Sequence, residues 1–353
     1  MSRFLSDRFA SLEAYVPGEQ PQDMQYIKLN TNESPYPPSP SVRRRLMDGE
    51  IEALQLYPNP DYTRLRQLLA DACGVGRENI LLGNGSDEVL SMAFLAFCDG
   101  THGAVFPDVT YGFYPVFARL YGIPFREQPL REDFTVDPAD YMKNDAMVVL
   151  ANPNAPTGLS LPLETVEAIL RANPDRVVVV DEAYVDFGGV SAAPLTAKYD
   201  NLLVVQTFSK SRSMAGARLG FGVACRCLIE DLEKMRYSIN PYNINRLTAA
   251  AGEAALEDAA YYQDNCRRIM QTREDTARAM AAMGFTLTRS QGNFLFARHP
   301  KTGGGELYQA LRDRGVLVRW FNRPRTADWL RITVGTPEQM DALLQTLKQI
   351  LEG

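Results

Sequence analysis

Residues 202–218 read LLVVQTFSKSRSMAGAR, and this stretch decides the fold. It opens with an uninterrupted apolar run at 202–205, which is typical of a buried strand in a parallel sheet. Lys210 follows just beyond the carboxyl end of that strand, where open α/β sheets bind their ligands. Hydroxyl groups and the guanidinium groups of Arg212 and Arg218 surround the lysine, and such donors suit an anion. The stretch therefore predicts an α/β sheet with a ligand site at Lys210.

The chemistry of lysine indicates which ligand would use this turn. A lysine amine forms a Schiff base with an aldehyde, and a phosphate beside it would need hydroxyl and guanidinium donors. Pyridoxal 5'-phosphate (PLP) carries both an aldehyde and a phosphate, so it is the candidate cofactor. The alternative is a polar strand-to-helix turn with surface cations, and this segment alone leaves both interpretations open.

A second apolar run, at 177–180, ends in Asp181, and Tyr184 follows three residues later. A carboxylate at the end of a buried strand costs stability unless it is paired, and a protonated pyridine nitrogen is such a partner. Tyr184 is close enough in sequence to offer its phenol to a ring hydroxyl. The alternative is that Asp181 only caps the next helix. The lysine segment further along the chain favours the cofactor interpretation.

Two further apolar runs lead into turns. Residues 148–158 enter a turn rich in proline and asparagine, where the prolines fix φ and permit cis peptide bonds. Residues 80–90 pass from a strand through Gly85 into a predicted helix that begins at Ser86, so free backbone N–H groups can face an anion. The alternatives are an ordinary strand-to-helix loop and a plain N-cap at Ser86 or Asp87.

Composition narrows the class of protein. A chain of 353 residues is expected to divide into about two domains, and its hydrophobic fraction of 45% is ordinary for a globular protein. The net charge of −6 argues against nucleic acid as a partner. The chain contains no run of 18 apolar residues, so no membrane span is predicted. The first residues lack the apolar core of a signal peptide.

The five cysteines show no framework spacing, and Cys225 and Cys227 are spaced wrongly for a zinc knuckle. With only two histidines in the chain, no metal site is predicted. We interpret the cysteines as reduced and structural, in a cytoplasmic protein.

Hydrophobic patterning predicts the order of elements. Strands near 80, 104, 147, 177, 202 and 219 alternate with helices that begin near Ser86, Gly112 and Leu163. This alternation predicts a mostly parallel sheet with helices on both faces. A long helical stretch from about 243 to 283, interrupted near Asp258, then leads to a compact α+β tail. The tail is predicted to contain strands at 285–287, 293–297, 316–319 and 329–334, and helices near 304–314 and 337–351.

Taken together, the motifs resemble one known family. In chain order they are GNGSDE at 83–88, NPNAPTG at 152–158, DEAY at 181–184, and TFSK with RLG between 207 and 220. This order is similar to that of the fold-type I PLP-dependent aminotransferases of class I and II. Within that family the group of histidinol-phosphate aminotransferases is the closer match. Further similar segments are KLNTNESPYP at 28–37, LYPNP at 56–60, PYNIN at 241–245 and LRITVG at 330–335.

The resemblance covers residues from about 15 to the C-terminus and implies a fold. Residues 41–255 would form the large PLP-binding domain, with the mostly parallel central sheet flanked by helices. Residues 256–353 would form a smaller α+β domain, which residues 1–40 join as an N-terminal arm over the active site. Tyr57 matches a residue that reaches the cofactor phosphate from a neighbouring subunit, so the resemblance also implies a homodimer with shared active sites.

The resemblance assigns roles around the cofactor. Lys210 would hold PLP as an internal aldimine and later move the proton between substrate and cofactor. Asp181 would keep the pyridine nitrogen protonated, and Tyr184 would donate to the ring oxygen O3′. Tyr111 would stack on the ring, unless it is only a core tyrosine. The residues implied at the cofactor phosphate are Gly85, Ser86, Asp87, Ser209 and Arg218.

One position departs from the family pattern. The family usually has an asparagine directly before Pro-Thr-Gly, as a ligand of O3′, and this chain has Ala155 there. Three alternatives follow: Asn154 substitutes, Asn152 substitutes, or Tyr184 alone serves O3′.

Substrate recognition is expected to depend on arginines. Arg331 matches the family's anchor for the α-carboxylate, and Arg319 matches the position that meets the substrate phosphate. Tyr15 and Asn32 are further candidates for this pocket. The alternative for a single arginine is a surface ion pair.

The implied activity is transfer of an amino group between L-histidinol phosphate, a phosphorylated amino alcohol, and 2-oxoglutarate, in a ping-pong reaction of histidine biosynthesis. The alternatives are an aromatic amino-acid aminotransferase and a PLP-dependent decarboxylase resembling threonine-phosphate decarboxylase.

Overall fold

The structure, a computed structural model, describes residues 5–9, 12–47 and 50–352. Its strands are β1 (Ile27–Lys28), β2 (Ile80–Gly83), β3 (Ala104–Pro107), β4 (Phe125–Gln128), β5 (Met147–Ala151), β6 (Val178–Asp181), β7 (Leu202–Thr207), β8 (Gly220–Ala224), β9 (Thr286–Leu287), β10 (Phe294–Arg298), β11 (Val316–Leu317), β12 (Arg319–Trp320) and β13 (Leu330–Thr333).

The α-helices connect and cover these strands. They are α1 (Pro40–Met47), α2 (Thr63–Cys73), α3 (Ser86–Phe97), α4 (Tyr114–Tyr121), α5 (Leu163–Ala172), α6 (Arg226–Ile239), α7 (Arg246–Glu257), α8 (Ala259–Ala282), α9 (Gly304–Asp313) and α10 (Pro337–Glu352). Short 3₁₀ helices lie at Asp7–Phe9, Arg77–Asn79, Pro138–Tyr141, Val185–Phe187, Ala193–Ala197 and Ala215–Ala217. In the part of the chain that the structure describes, no helix is long and apolar enough to cross a membrane.

A seven-stranded sheet forms the centre of the larger part of the chain, in the order β2-β8-β7-β6-β5-β3-β4. Only β8 runs antiparallel to its neighbours, so β2, β5, β6 and β7 all end at the same edge. The predicted mostly parallel sheet is therefore confirmed. The predicted helices and strands between residues 80 and 224 are also present, with α4 beginning two residues later than expected.

Apolar side chains on both faces explain why these strands form. Successive residues of a strand point to opposite faces. In β6, Val178 and Val180 enter one hydrophobic cluster, while Val179 enters the cluster on the other face. The same division holds in β7, where Leu202 and Val204 face one side. Unbroken apolar runs are what a sheet covered on both faces requires.

The C-terminal part has its own sheet and core. Strands β12, β13, β10 and β9 form an antiparallel sheet in that order, and the arm adds β1 in parallel to β11. Leu29 of the arm packs into the same buried cluster as Ile332 and Leu343. The helical stretch before this part divides at Asp258 into α7 and α8, as the sequence predicts.

Gly220 allows two segments to approach closely at the edge where β2 and β7 end. A side-chain Cβ at Gly220 would lie 2.3 Å from the backbone nitrogen of Ser86 and 2.5 Å from the carbonyl carbon of Gly85. Both atoms belong to the backbone of the turn that starts α3. The first residue of β8 must therefore be glycine if this turn is to lie against the sheet.

We expect Gly220→Ala to lower the free energy of unfolding by about 1–3 kcal/mol, because the new methyl group overpacks against backbone that cannot rotate away. Urea unfolding of the purified variant measures this change. Gly100→Ala is the matched control, since a Cβ at Gly100 meets nothing within 4 Å. Equal free energies of unfolding for the two variants would show that the turn before α3 moves to accommodate the methyl group with no loss of stability.

Candidate active site

A cavity of about 330 Å³ lies at the sheet edge where β5, β6 and β7 end and α3 begins. This is the edge at which α/β sheets bind ligands. The cavity brings together most of the residues that the sequence predicts for the cofactor. Those that line it are Ser86, Asp87, Tyr111, Asp181, Tyr184, Ser209, Lys210 and Arg218.

Asp181, the last residue of β6, is 5% exposed. The Tyr114 hydroxyl donates to its Oδ2 at 2.8 Å, and the Ala183 N–H donates to its Oδ1 at 3.2 Å. Burial nevertheless raises the pKa of Asp181 to about 6, because two neutral donors only partly offset the loss of water. The carboxylate thus lacks a cation at close range and is suited to bind one.

Tyr114 is a functional neighbour that the sequence analysis did not identify. It sits in the first turn of α4, it is fully buried, and its ring meets that of Tyr111 edge to face at 5.6 Å. Burial raises the pKa of Tyr114 well above its ordinary value, so it remains a hydrogen-bond donor. The only signal was the aromatic run at 111–114, which is equally typical of a core helix.

Lys210 extends from the turn after β7 into the cavity. Its Nζ donates to the main-chain oxygen of Thr31 at 3.2 Å and lies 5.8 Å from the centre of the Tyr184 ring. Among the described residues, Lys210 forms no ion pair. The amine is therefore held by a single neutral acceptor, from which it can be released to react.

An anion cradle forms where the turn before α3 meets the segment after β7. Gly85 has φ +81°, and a Cβ there would lie 2.5 Å from Nη2 of Arg218. The Arg218 guanidinium lies 3.1 Å from Oδ2 of Asp87 and 3.5 Å from Oγ of Ser209. The first turn of α3 adds free backbone N–H groups beginning at Ser86. Hydroxyl, guanidinium and amide donors thus converge on one point.

Two tyrosines border the space between this cradle and Asp181. Tyr111 donates its hydroxyl to Oδ1 of Asp87 at 2.8 Å, and burial raises the pKa of Tyr111 well above its ordinary value. Tyr184 accepts from Nδ2 of Asn32 at 3.0 Å, and its ring packs edge-on against Phe294 at 5.0 Å. Both rings are therefore fixed by contacts from other elements.

The asparagines of the 152–158 turn do not line the cavity, although Ala155 does. The Asn154 amide donates to the Val109 oxygen at 2.9 Å and to the Thr157 hydroxyl at 3.0 Å. Its oxygen accepts from Thr110 at 2.7 Å. Contact of Asn154 with the cofactor stays a prediction, and within the chain these three bonds engage its amide group.

Asn152 is also occupied, since its side chain both donates to and accepts from the backbone of Leu161. The peptide bonds that precede Pro153 and Pro156 are cis, as the turn permits. Of the three residues offered for the missing asparagine, only Tyr184 lines the cavity.

Arg331 lies in β13 at the border between the arm and the C-terminal sheet. Its Nη2 donates to the Asn30 oxygen at 2.9 Å, and its guanidinium lies 5.7 Å from the Phe294 ring and 5.5 Å from the Phe321 ring. Burial lowers the pKa of Arg331. Its Nε is buried and finds no hydrogen-bond partner among the described residues. A buried donor without a partner indicates a place for a ligand.

Arg319, in β12, donates to two main-chain oxygens of the arm. These are the carbonyl groups of Val16 at 3.0 Å and Pro17 at 3.1 Å. Tyr15, directly before them, packs its ring on Phe113 at 4.6 Å. The structure thus brings Tyr15 and Arg319 to the same side of the site through the arm.

Asn32 holds the arm against the tyrosine side of the cavity. It has φ +55°, its N–H donates to the Thr333 hydroxyl at 2.9 Å, and its oxygen accepts from the same hydroxyl at 3.0 Å. Since its Nδ2 donates to Tyr184, the Asn32 side chain is hydrogen-bonded through both its nitrogen and its oxygen.

Tyr57 lies outside the cavity lining and is 77% exposed. Its ring stacks on Tyr242 at 4.5 Å. Within one chain, therefore, Tyr57 has no contact with the anion cradle.

Comparison with known proteins finds a matching family model, similar sequences and a similar fold. A family model described as aminotransferase class I and II matches residues 24–347. Histidinol-phosphate aminotransferase 1 of Bradyrhizobium diazoefficiens is 50% identical, covering 99% of this chain and 100% of that protein. Histidinol-phosphate aminotransferase of a Marinomonas species is 49% identical, with coverage of 99% and 100%. A crystal structure of the Sinorhizobium meliloti histidinol-phosphate aminotransferase in complex with pyridoxal-5'-phosphate has a TM-score of 0.88 at 24% identity, covering 99% of both chains.

The raised pKa of Asp181 predicts how the stability of the cofactor-free protein depends on pH. An unfolded aspartate has a pKa near 4, so the folded chain binds this proton more tightly. Folding stability should therefore fall as the pH rises from about 4 to about 6, and stay reduced above that. We expect Asp181→Asn to raise the free energy of unfolding at pH 8 by up to about 3 kcal/mol, and by roughly half of that at pH 5.

Denaturant unfolding of the cofactor-free proteins at both pH values provides the measurement. Asp341→Asn, at an exposed position of α10, is the control and should change little. If Asp181→Asn raises the free energy of unfolding equally at both pH values, ionisation of Asp181 is not the cause of the increase.

Proposed function

We infer from its place in the class I and II aminotransferase family, to which this chain belongs, that it is a PLP-dependent aminotransferase acting on L-histidinol phosphate and 2-oxoglutarate. The observation that carries this proposal is the meeting of Lys210 and the buried carboxylate of Asp181 in one cavity. Relatives named histidinol-phosphate aminotransferase are 45–50% identical over nearly the whole chain. Neither an aromatic aminotransferase nor a threonine-phosphate decarboxylase is favoured by these relatives.

The residues of the cavity fit PLP at each of its polar groups. Asp181 offers a carboxylate without a close cation, which suits the protonated ring nitrogen. The cradle of Ser209, Arg218 and the start of α3 suits the phosphate, and Tyr184 offers its phenol to O3′. When bound, PLP supplies an aldehyde that captures the substrate amino group and a ring that accepts electron density from Cα.

The chain supplies the proton transfers and the electrostatic setting. Lys210 is the amine that lines the cavity, so it would accept the proton from Cα of the substrate and pass it to the former aldehyde carbon of the cofactor. The main-chain oxygen of Thr31 offers this amine a resting position. Asp181 is ionised above its pKa of about 6 and then stabilises a positive charge on the ring. Tyr111 lines the cavity and limits the space that water can occupy there.

Two guanidinium groups serve two kinds of substrate. Histidinol phosphate carries a phosphate ester and no α-carboxylate, whereas glutamate carries two carboxylates. Arg331 has a buried Nε without a partner, and Arg319 is bonded only to main-chain oxygens. Among the described residues neither forms an ion pair, so both retain charge for an anionic substrate.

A second copy of the chain would complete the site. Tyr57 is 77% exposed and stacks on Tyr242, which is also exposed. Four apolar residues that precede Tyr57 in the chain are exposed as well: Met47, Ile51, Leu54 and Leu56. Apolar surfaces of this kind favour association, and a twofold dimer would place Tyr57 at the partner's cradle.

The proposal also includes the division of the chain into an arm of residues 1–40, a large domain of residues 41–255 and a small domain of residues 256–353. It further includes action in the cytoplasm, where the five free thiols stay reduced.

Arg319→Ala should separate the substrates. A charge-assisted hydrogen bond contributes roughly 1.5–3 kcal/mol, so loss of Arg319 should weaken the histidinol-phosphate half-reaction about tenfold to a hundredfold. Phenylalanine, which has no distal anion, should lose much less. Stopped-flow absorbance of the purified PLP enzyme with each amino donor measures both half-reactions.

Arg323→Ala, an exposed arginine of the neighbouring loop, is the control and should leave both half-reactions unchanged. If phenylalanine is the far better donor and Arg319→Ala affects both donors alike, an aromatic aminotransferase replaces this proposal. Release of CO₂ from threonine phosphate would instead identify a decarboxylase.

Subunit complementation tests whether active sites are shared. Lys210→Ala and Tyr57→Phe chains should each be poorly active alone. A mixed dimer would contain one site with both native residues, so random exchange should restore about a quarter of wild-type activity. Activity after co-refolding is the measurement, and refolded Lys210→Ala alone is the control. A mixture no more active than its separate parts, or a fully active monomer in sedimentation, would contradict shared sites.

A further inference from the structure

Cys225 and Cys227 bring two thiols into contact on the far side of the central sheet from the cavity. Cys225 follows the last residue of β8 and precedes α6, and Cys227 lies in the first turn of that helix. Their sulfur atoms are 3.0 Å apart. The helical bond from the Ile229 N–H to the Cys225 oxygen, at 3.2 Å, fixes the backbone between them. The two thiols are therefore held together by secondary structure.

The two sulfurs have different surroundings. Cys225 is half-buried, and its thiol donates to the Asp200 oxygen at 3.1 Å. Burial, followed by the neighbouring thiol, raises the pKa of Cys225 to about 11. Cys227 is exposed and lies in the first turn of α6. Cys227 is thus the sulfur that solvent reagents reach first, and Cys225 is positioned behind it.

The other three cysteines lack this arrangement. Burial raises the pKa of Cys73 to about 11, and that of Cys98 and Cys266 to about 12. Cys98 contacts the Gly103 oxygen and the Met147 sulfur, neither of which is a thiol. Within the described residues, no second cysteine pair lies in hydrogen-bond contact. A reagent that oxidises thiols should therefore distinguish the pair from the rest.

The pair is remote from the chemistry of the proposed aminotransferase. Because β8 runs antiparallel to β7, Gly220 pairs with Thr207 at the cavity edge, whereas Ala224 pairs with Leu203 near the start of β7. Cys225 therefore lies beyond the edge of the sheet opposite Lys210.

We propose that Cys225 and Cys227 form a dithiol site that hydrogen peroxide converts to an intramolecular disulfide. The Cys227 sulfur attacks the peroxide oxygen, the O–O bond breaks, and a sulfenic acid and water form. The Cys225 sulfur then attacks the sulfenic sulfur, the S–S bond forms, and a second water leaves. The two thiols lose two electrons and two protons in total, and hydrogen peroxide is reduced to two waters.

Mass spectrometry of the full-length protein tests this directly. The reduced PLP enzyme is treated with hydrogen peroxide near stoichiometric amounts, and remaining thiols are then alkylated in denaturant. We expect two of the five cysteines to escape alkylation. Trypsin cleaves after Arg218, Arg226 and Lys234, so the product should appear as peptides 219–226 and 227–234 joined by a disulfide that reductant separates.

Variants of the pair identify the order of attack. Cys227→Ser should protect Cys225 from peroxide, and since residue 227 is exposed this variant should fold normally. Cys225→Ser should leave Cys227 as a sulfenic acid that dimedone captures. Three outcomes would overturn the proposal: equal oxidation of all five cysteines, a disulfide between two chains, or direct passage of Cys227 to sulfinic acid in the wild type. None of these readouts depends on aminotransferase activity.

Discussion

The burial of Asp181 is the constraint on which the active site depends. Its strand lies between two parallel neighbours, with Ala151 and Val205 in register beside it, and only 5% of Asp181 is exposed. Tyr114 and the Ala183 N–H only partly offset the loss of water. A positive charge delivered by a ligand is the remaining means of stabilisation, so binding the cofactor and stabilising the fold are coupled. The free energy that the unpaired carboxylate costs the cofactor-free protein is regained when PLP binds, so it contributes to the affinity for PLP.

The rest of the site is arranged around that carboxylate by the topology of the sheet. Parallel strands all end at one edge of the sheet, so the loops that follow them start there. This places Lys210 and Tyr184 near Asp181 although they belong to separate loops. The single antiparallel strand, β8, begins at the same edge and brings Arg218 towards the start of α3. Because β8 runs in the opposite direction, the segment that precedes it, rather than the one that follows it, reaches the anion cradle.

The sequence predicted those parts of the structure that follow from local patterns. Apolar runs identified β5 to β8, because a sheet covered on both faces needs such runs. Strand β4 escaped notice, since its residues Phe125–Gln128 are mostly polar at an edge of the sheet. Motifs identified Lys210 and Asp181, but the engagement of Asn154 with Thr110 and Thr157 depends on how two loops meet. The contacts of Arg319 with the arm were equally hidden, because they use main-chain oxygens that any residue at 16 or 17 would supply.

Arg331 and Arg319, the two arginines proposed to bind the substrate, have a consequence for how the enzyme behaves in solution. Because Arg331 and Arg319 are bonded to carbonyl oxygens and not to carboxylates, their charges are not neutralised within the described chain. Under the proposed role of these arginines in substrate binding, inorganic phosphate and sulfate would compete with the substrate for them. The attraction also weakens as salt screens it, to the extent that the pocket is open to solvent. The composition of the assay buffer therefore becomes one of the determinants of the apparent Michaelis constant.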